Sequence, residues 1–135
     1  MQGMAATTNR ATSTAGAPIA LRVLVVDADA DMRALYRDAL SAVGCEVVEA
    51  SDGREALSNA LVEPPTLVIT EVRLPLMDGY ALCEILRRDL ATRAVPILIV
   101  TAEARSTELS RIRRAGANAV LVKPTPPDVL LGEVR

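Results

Sequence analysis

The chain contains no histidine, phenylalanine or tryptophan, and tyrosine occurs only at Tyr36 and Tyr80. Its core must therefore be built almost entirely from Ala, Val, Leu and Ile, within a hydrophobic content of 50%. Cysteine is equally scarce. Cys45 and Cys83 fall inside predicted regular elements rather than in a spaced framework, the pattern of two reduced core thiols rather than of a disulfide or metal cluster. Two cysteines without histidine do not make a zinc site. No apolar run approaches the ~18 residues that a membrane span requires. The formal net charge is −2, so nothing advertises nucleic acid or an anionic membrane as a partner. The first strand-to-helix loop, "DADADM", has no glycine, which argues against a flavin or nucleotide module built on a glycine-rich turn.

What remains is a chain of 135 residues, long enough for one domain with a sizeable core. Residues 1–19 are rich in Ala, Thr, Ser and Gly and carry one charged side chain, Arg10. They lack the continuous apolar core of a signal peptide and read as a disordered tail. Residues 20–135 are expected to form the folded domain, in the cytoplasm.

From Leu21 onward two periods alternate. "LRVLVVD" (21–27), "CEVVEA" (45–50), "TLVITE" (66–71), "VPILIVT" (95–101) and "AVLVK" (119–123) read as strands. Between them lie helical patterns. Met32, Leu35, Tyr36, Ala39, Leu40 and Val43 recur before Gly44, and Ala56, Leu57, Ala60 and Leu61 recur before Pro64-Pro65. Leu82, Ile85, Leu86 and Leu90 share a third face, Glu108 to Ala115 a fourth helix, and Pro127-Asp128 opens the last. Short acids accept the free amides of a first turn, which nominates Asp29 or Asp31, Asp52 and Asp78 as caps.

Strands alternating with helices five times predict a parallel sheet covered on both faces. In such a sheet the working crevice lies beyond the carboxyl ends of the strands. The residues there are Asp27, Glu71, Thr101 and Lys123, each a polar or charged end to an otherwise apolar strand. Carboxylates hold a hard cation through oxygen, and Lys and Thr suit phosphoryl oxygens.

Five motifs in this order, "VLVVDADADMR" (23–33), "VVEASDGREAL" (47–57), "LVITEVRLPLMDGYALC" (67–83), "VPILIVTAEA" (95–104) and "AGANAVLVKPTPPDVL" (115–130), resemble the receiver domain of bacterial two-component response regulators. The resemblance covers residues 21–135. It implies an α/β, flavodoxin-like, doubly wound (βα)5 fold with strand order 2-1-3-4-5. It further implies that a strand-three aspartate, four residues before the loop proline, takes phosphate from a histidine kinase. Two acids after the first strand would help to bind Mg²⁺, and a Thr and a Lys would hold the phosphoryl group. Carried over, Asp27 matches the first acid, Thr101 the hydroxyl and Lys123, followed by Pro124, the lysine.

The pattern breaks in three places. Glu71 stands at the phosphoacceptor position, Ala28 replaces the second acid, and Val120 replaces the switch aromatic three residues before the lysine. The metal set would be Asp27, Ala28, Glu71 and Arg73, a degenerate site. Asp29 could complete it only if it left its capping place. Glutamate reaches one methylene further than aspartate, toward the place of a phosphoryl group. There it could pair with Lys123 and accept a hydrogen bond from Thr101, an interaction of roughly 1.5–3 kcal/mol. The expectation is therefore a non-enzymatic, phosphorylation-independent pseudo-receiver that needs no cofactor and binds Mg²⁺ weakly or not at all. The competing reading is a conventional phosphoacceptor that uses Glu71 or Asp27, with Asp29 in the metal site.

The resemblance implies communication through the fourth helix, fifth strand and fifth helix, here roughly 105–135. The partner would be a histidine kinase, an output domain or another signalling protein, and a homodimer is open as well. Glu108 and Arg111 are spaced to pair within the fourth helix. Tyr80 reads as a core or rim residue rather than a switch. The last helix reaches Arg135 after little more than two turns, leaving open a stand-alone receiver or a piece of a longer protein.

Overall fold

The computed structural model describes residues 21–102 and 105–134, so the tail expected at 1–19 lies outside the described residues. The elements are β1 (Arg22–Val26), α1 (Ala30–Ala42), β2 (Glu46–Ala50), α2 (Gly53–Val62), β3 (Leu67–Thr70), α3 (Gly79–Arg88), β4 (Ile97–Thr101), α4 (Ser106–Ala115), β5 (Ala119–Val122) and α5 (Pro127–Val134). Among the described residues the strands form one sheet in the order β2-β1-β3-β4-β5, and every pairing is parallel. This is the expected 2-1-3-4-5 flavodoxin-like order. Because side chains of successive strand residues point to opposite faces, each strand divides between two cores. Leu24, Val26, Val68, Ile97 and Ile99 pack with α2, α3 and α4 residues such as Ala56, Leu86 and Ile112. Val23, Val25, Ile69, Leu98 and Val100 pack with Tyr36 and Leu40 of α1 and Leu130 of α5. Burial on both faces explains the unbroken apolar runs, and each fully buried Leu or Ile contributes about 1.5–3 kcal/mol.

Three helix starts follow from short acids. Asp29 accepts from the amides of Asp31 and Met32, and Asp78 from that of Ala81. Asp52 accepts from Glu55, whose own carboxylate takes the amide of Ser51, the residue before the cap, at 2.8 Å, an arrangement close to a capping box. Of the two acids proposed for α1, Asp29 is the cap. Gly44 and Gly116 follow α1 and α4 at φ +95° and +114°, left-handed angles at which a Cβ is strained. Some predicted faces are corrected. Leu35 and Val43 of the α1 pattern are exposed, as is Leu61 of α2. Leu90 is 79% exposed because α3 ends at Arg88, with Asp89 as its C-cap. A helical period identifies a face, yet it does not say where along that face the neighbouring element stops.

Candidate functional site

Since all five strands run the same way, their carboxyl ends share one edge of the sheet. Asp27 directly follows β1, Glu71 follows β3, Thr101 ends β4 and Lys123 follows β5. Glu71, expected as the last strand residue, lies one position beyond it, its amide still donating to the Val26 carbonyl of β1 at 3.0 Å. Both acids are buried, Asp27 at 6% exposure and Glu71 at 7%. Burial of a carboxylate is costly unless it is paired and hydrogen-bonded. Lys123 meets that need for both: its Nζ lies 2.8 Å from Asp27 Oδ2 and 2.8 Å from Glu71 Oε2.

The remaining carboxylate oxygens are also engaged. Asp27 Oδ1 accepts the Asp29 amide at 2.9 Å. Glu71 Oε1 accepts the amide of Val72 at 2.8 Å and, more weakly, that of Arg73 at 3.4 Å. The longer side chain has thus folded back over its own loop while its other oxygen reaches the ammonium. Thr101 is fully buried beside this group, and its carbonyl accepts the Lys123 amide at 2.8 Å. Desolvation pulls the Lys123 pKa down, but hydrogen bonds and charge from Asp27 and Glu71 outweigh it, and the net shift is upward. A raised lysine pKa stabilises fully below the unfolded value of about 10.4, and this contribution is lost as pH rises through the folded value.

The other expected positions fall as follows. Ala28 is exposed and offers a methyl group where a third acid would stand. Asp29 is committed to the α1 cap. The Arg73 side chain is exposed at the rim. Val120, half-buried, packs against the core shared with α4. Cys83 is buried, and desolvation pushes its thiol pKa up to about 11, as befits an inert core thiol.

Two features escaped the motif reading. Arg33 Nη1 donates to the Asp27 carbonyl at 2.6 Å while its Nε pairs with Glu49 Oε1 at 3.3 Å. It thereby fixes the backbone that carries the first pocket acid. Tyr36 sits under the pocket, 1% exposed, with a hydroxyl that has no hydrogen-bond partner among the described residues. Burial, opposed by the charge of Lys123, raises its pKa. An unpaired buried hydroxyl costs about 1–3 kcal/mol, so Tyr36→Phe is expected to raise the melting temperature; a lower melting temperature would show that the hydroxyl is satisfied.

The response regulator receiver domain family matches residues 23–135. The chain belongs to that family. The receiver is 35% identical over 114 residues to the "Probable transcriptional regulator ycf27" of Porphyridium aerugineum, covering 84% of this chain and 46% of that protein. It is 27% identical to "Protein PilG" of Pseudomonas aeruginosa, covering 85% of each. Thus it spans less than half the length of the ycf27 relative. Among solved structures, the chemotaxis response regulator CheY4 of Vibrio cholerae superposes with a TM-score of 0.82 at 32% identity, over 86% of this chain and 97% of that one. Receivers are signalling modules, and their partners are proteins. Among the described residues no helix is long and apolar enough to cross a membrane.

Proposed function

We propose that this receiver signals by protein–protein contact without phosphotransfer, Glu71 acting as a permanent partial substitute for a phosphoryl group. The observation that carries the reading is the ammonium of Lys123 held 2.8 Å from both buried carboxylates. An attacking carboxylate needs a lone pair free to point at phosphorus, and in-line transfer tolerates little displacement. Glu71 Oε1 accepts two amides and Oε2 one ammonium, which leaves a single lone pair of Oε2, and the extra methylene displaces that oxygen from where an aspartate's would stand. The lysine offsets one of the two carboxylate charges and bonds to both groups, so the pocket is tied closed without a phosphate. The mimicry is partial: one charge and two oxygens stand in for roughly two charges and three oxygens.

The donor set does not fit a Mg²⁺ site. Mg²⁺ demands near-octahedral oxygen ligation, whereas this crevice offers two carboxylates with an ammonium between them, an alanine methyl at residue 28 and a capping acid at Asp29. We propose that Mg²⁺ binds weakly or not at all, that the chain is not an enzyme, and that the partner is a kinase, an output domain or another signalling protein meeting roughly 105–135. Incubation with acetyl phosphate and Mg²⁺ tests this by intact mass. No phosphoryl adduct is expected on the wild type or on Glu71→Asp, because Ala28 remains in both. An adduct on the wild type that disappears in Glu71→Gln would overturn the reading.

A further inference from the structure

We infer that Tyr80 is the positioning residue that couples the Glu71 pocket to α4. Val120 supplies no ring on β5, so any connection from the pocket to α4 must run through other groups. One such route begins at Glu71 itself. The Gly79 amide donates to the Val72 carbonyl at 2.8 Å, and a Cβ at residue 79 would fall 2.5 Å from the Glu71 carbonyl oxygen. The first residue of α3 is therefore seated directly on the Glu71 peptide. The next residue is Tyr80, 7% exposed. Its hydroxyl donates to Glu108 Oε2, and the Arg111 guanidinium lies 3.8 Å from its ring centroid, within cation–π range.

This contact replaces the expected pairing of Glu108 with Arg111 as the organising feature of α4: both side chains converge on one tyrosine. Between the β3–α3 loop and α4 lies an open cleft of about 520 Å³ lined by Val72, Arg73, Tyr80, Glu108 and Arg111 among others. Across that gap α4 is tied by a few polar contacts rather than by dense packing alone, the condition under which a small shift of the Glu71 peptide can be passed on as a shift of α4. The inference rests on the proposed reading only in taking α4 as part of the output face.

Spatial continuity is not yet coupling, which requires that a change at one site alter the response at the other. Amide hydrogen exchange on the full chain measures it. Tyr80→Phe keeps the ring over Arg111 and removes the hydroxyl, and is expected to speed exchange of the Leu109–Ile112 amides about tenfold, the equivalent of 1.4 kcal/mol. Glu108→Gln weakens the same bond from the half-buried α4 side and must speed the same amides. Glu71→Gln is expected to change α4 exchange in the wild type and to leave it unchanged in the Tyr80→Phe background. An effect of Glu71→Gln that reaches α4 equally with and without the hydroxyl, or that never reaches it, overturns the inference. Phosphorylation does not enter these measurements, so an acetyl-phosphate adduct would sink the proposed function and leave this test standing.

Discussion

Lys123→Met is expected to destabilise the receiver by about 2–3 kcal/mol at neutral pH, read as a lower urea midpoint. The substitution keeps the length of the stem and removes the charge that two buried carboxylates share. Stripping one partner from a fully buried pair costs about 3–5 kcal/mol. The smaller figure applies here because the lysine side chain is 19% exposed, and water reaching the crevice screens what remains. Two like charges are then left facing each other with only backbone amides to hold them. Adding Glu71→Gln to Lys123→Met removes one of those charges and is expected to recover most of the loss. If the double variant is as unstable as the single one, repulsion between the two carboxylates is not the source of the loss, and the ion triad is not what closes the pocket.

The sheet and its strand-end crevice were legible because each rests on a repeating signal. Apolar runs of four to five residues end in the polar side chains of Asp27, Glu71, Thr101 and Lys123, and parallel topology alone brings their backbones to one edge. The caps Asp52 and Asp78 were equally legible, since capping is local in sequence. The sharing of Lys123 between both acids was not, because spacing places side chains near a crevice without saying which pairs close. Arg33 reads as an ordinary helical charge, and its bond to the Asp27 carbonyl leaves no trace in periodicity. Tyr80 is the buried residue expected from its place on the helix, but its bond to Glu108, 28 residues away, leaves no sign in spacing, because Glu108 and Arg111 looked self-sufficient at helical spacing. Glu71 and Ala28 were visible only as departures from a pattern, so their consequence had to come from geometry. The geometry adds that the extra methylene of glutamate lets one oxygen fold back onto the loop amides while the other meets the lysine.

Gly79→Ala is expected to cost about 2–3 kcal/mol, and its effect should be felt in the pocket as well as in global stability. An added Cβ would meet the Glu71 carbonyl oxygen at 2.5 Å and the Val72 Cα at 2.9 Å. Both are backbone atoms, so no flexible side chain can swing aside, and overpacking of this kind typically costs 1–3 kcal/mol. Helix propensity acts in the opposite direction by roughly 0.5–1 kcal/mol and cannot offset the clash. The only relief is to push the Glu71–Val72 peptide away from α3. That strains the Gly79 amide bond to Val72 and moves the loop amides that hold Glu71 Oε1. Gly132→Ala is the matched control, because α5 presents open space around that position; it should be neutral or slightly stabilising. Chemical shifts of the Val72, Arg73 and Lys123 amides should change in Gly79→Ala and stay fixed in Gly132→Ala. A Gly79→Ala protein as stable as the wild type would mean that the first turn of α3 is not seated on the Glu71 peptide, and the physical link from pocket to α4 would be broken at its first step.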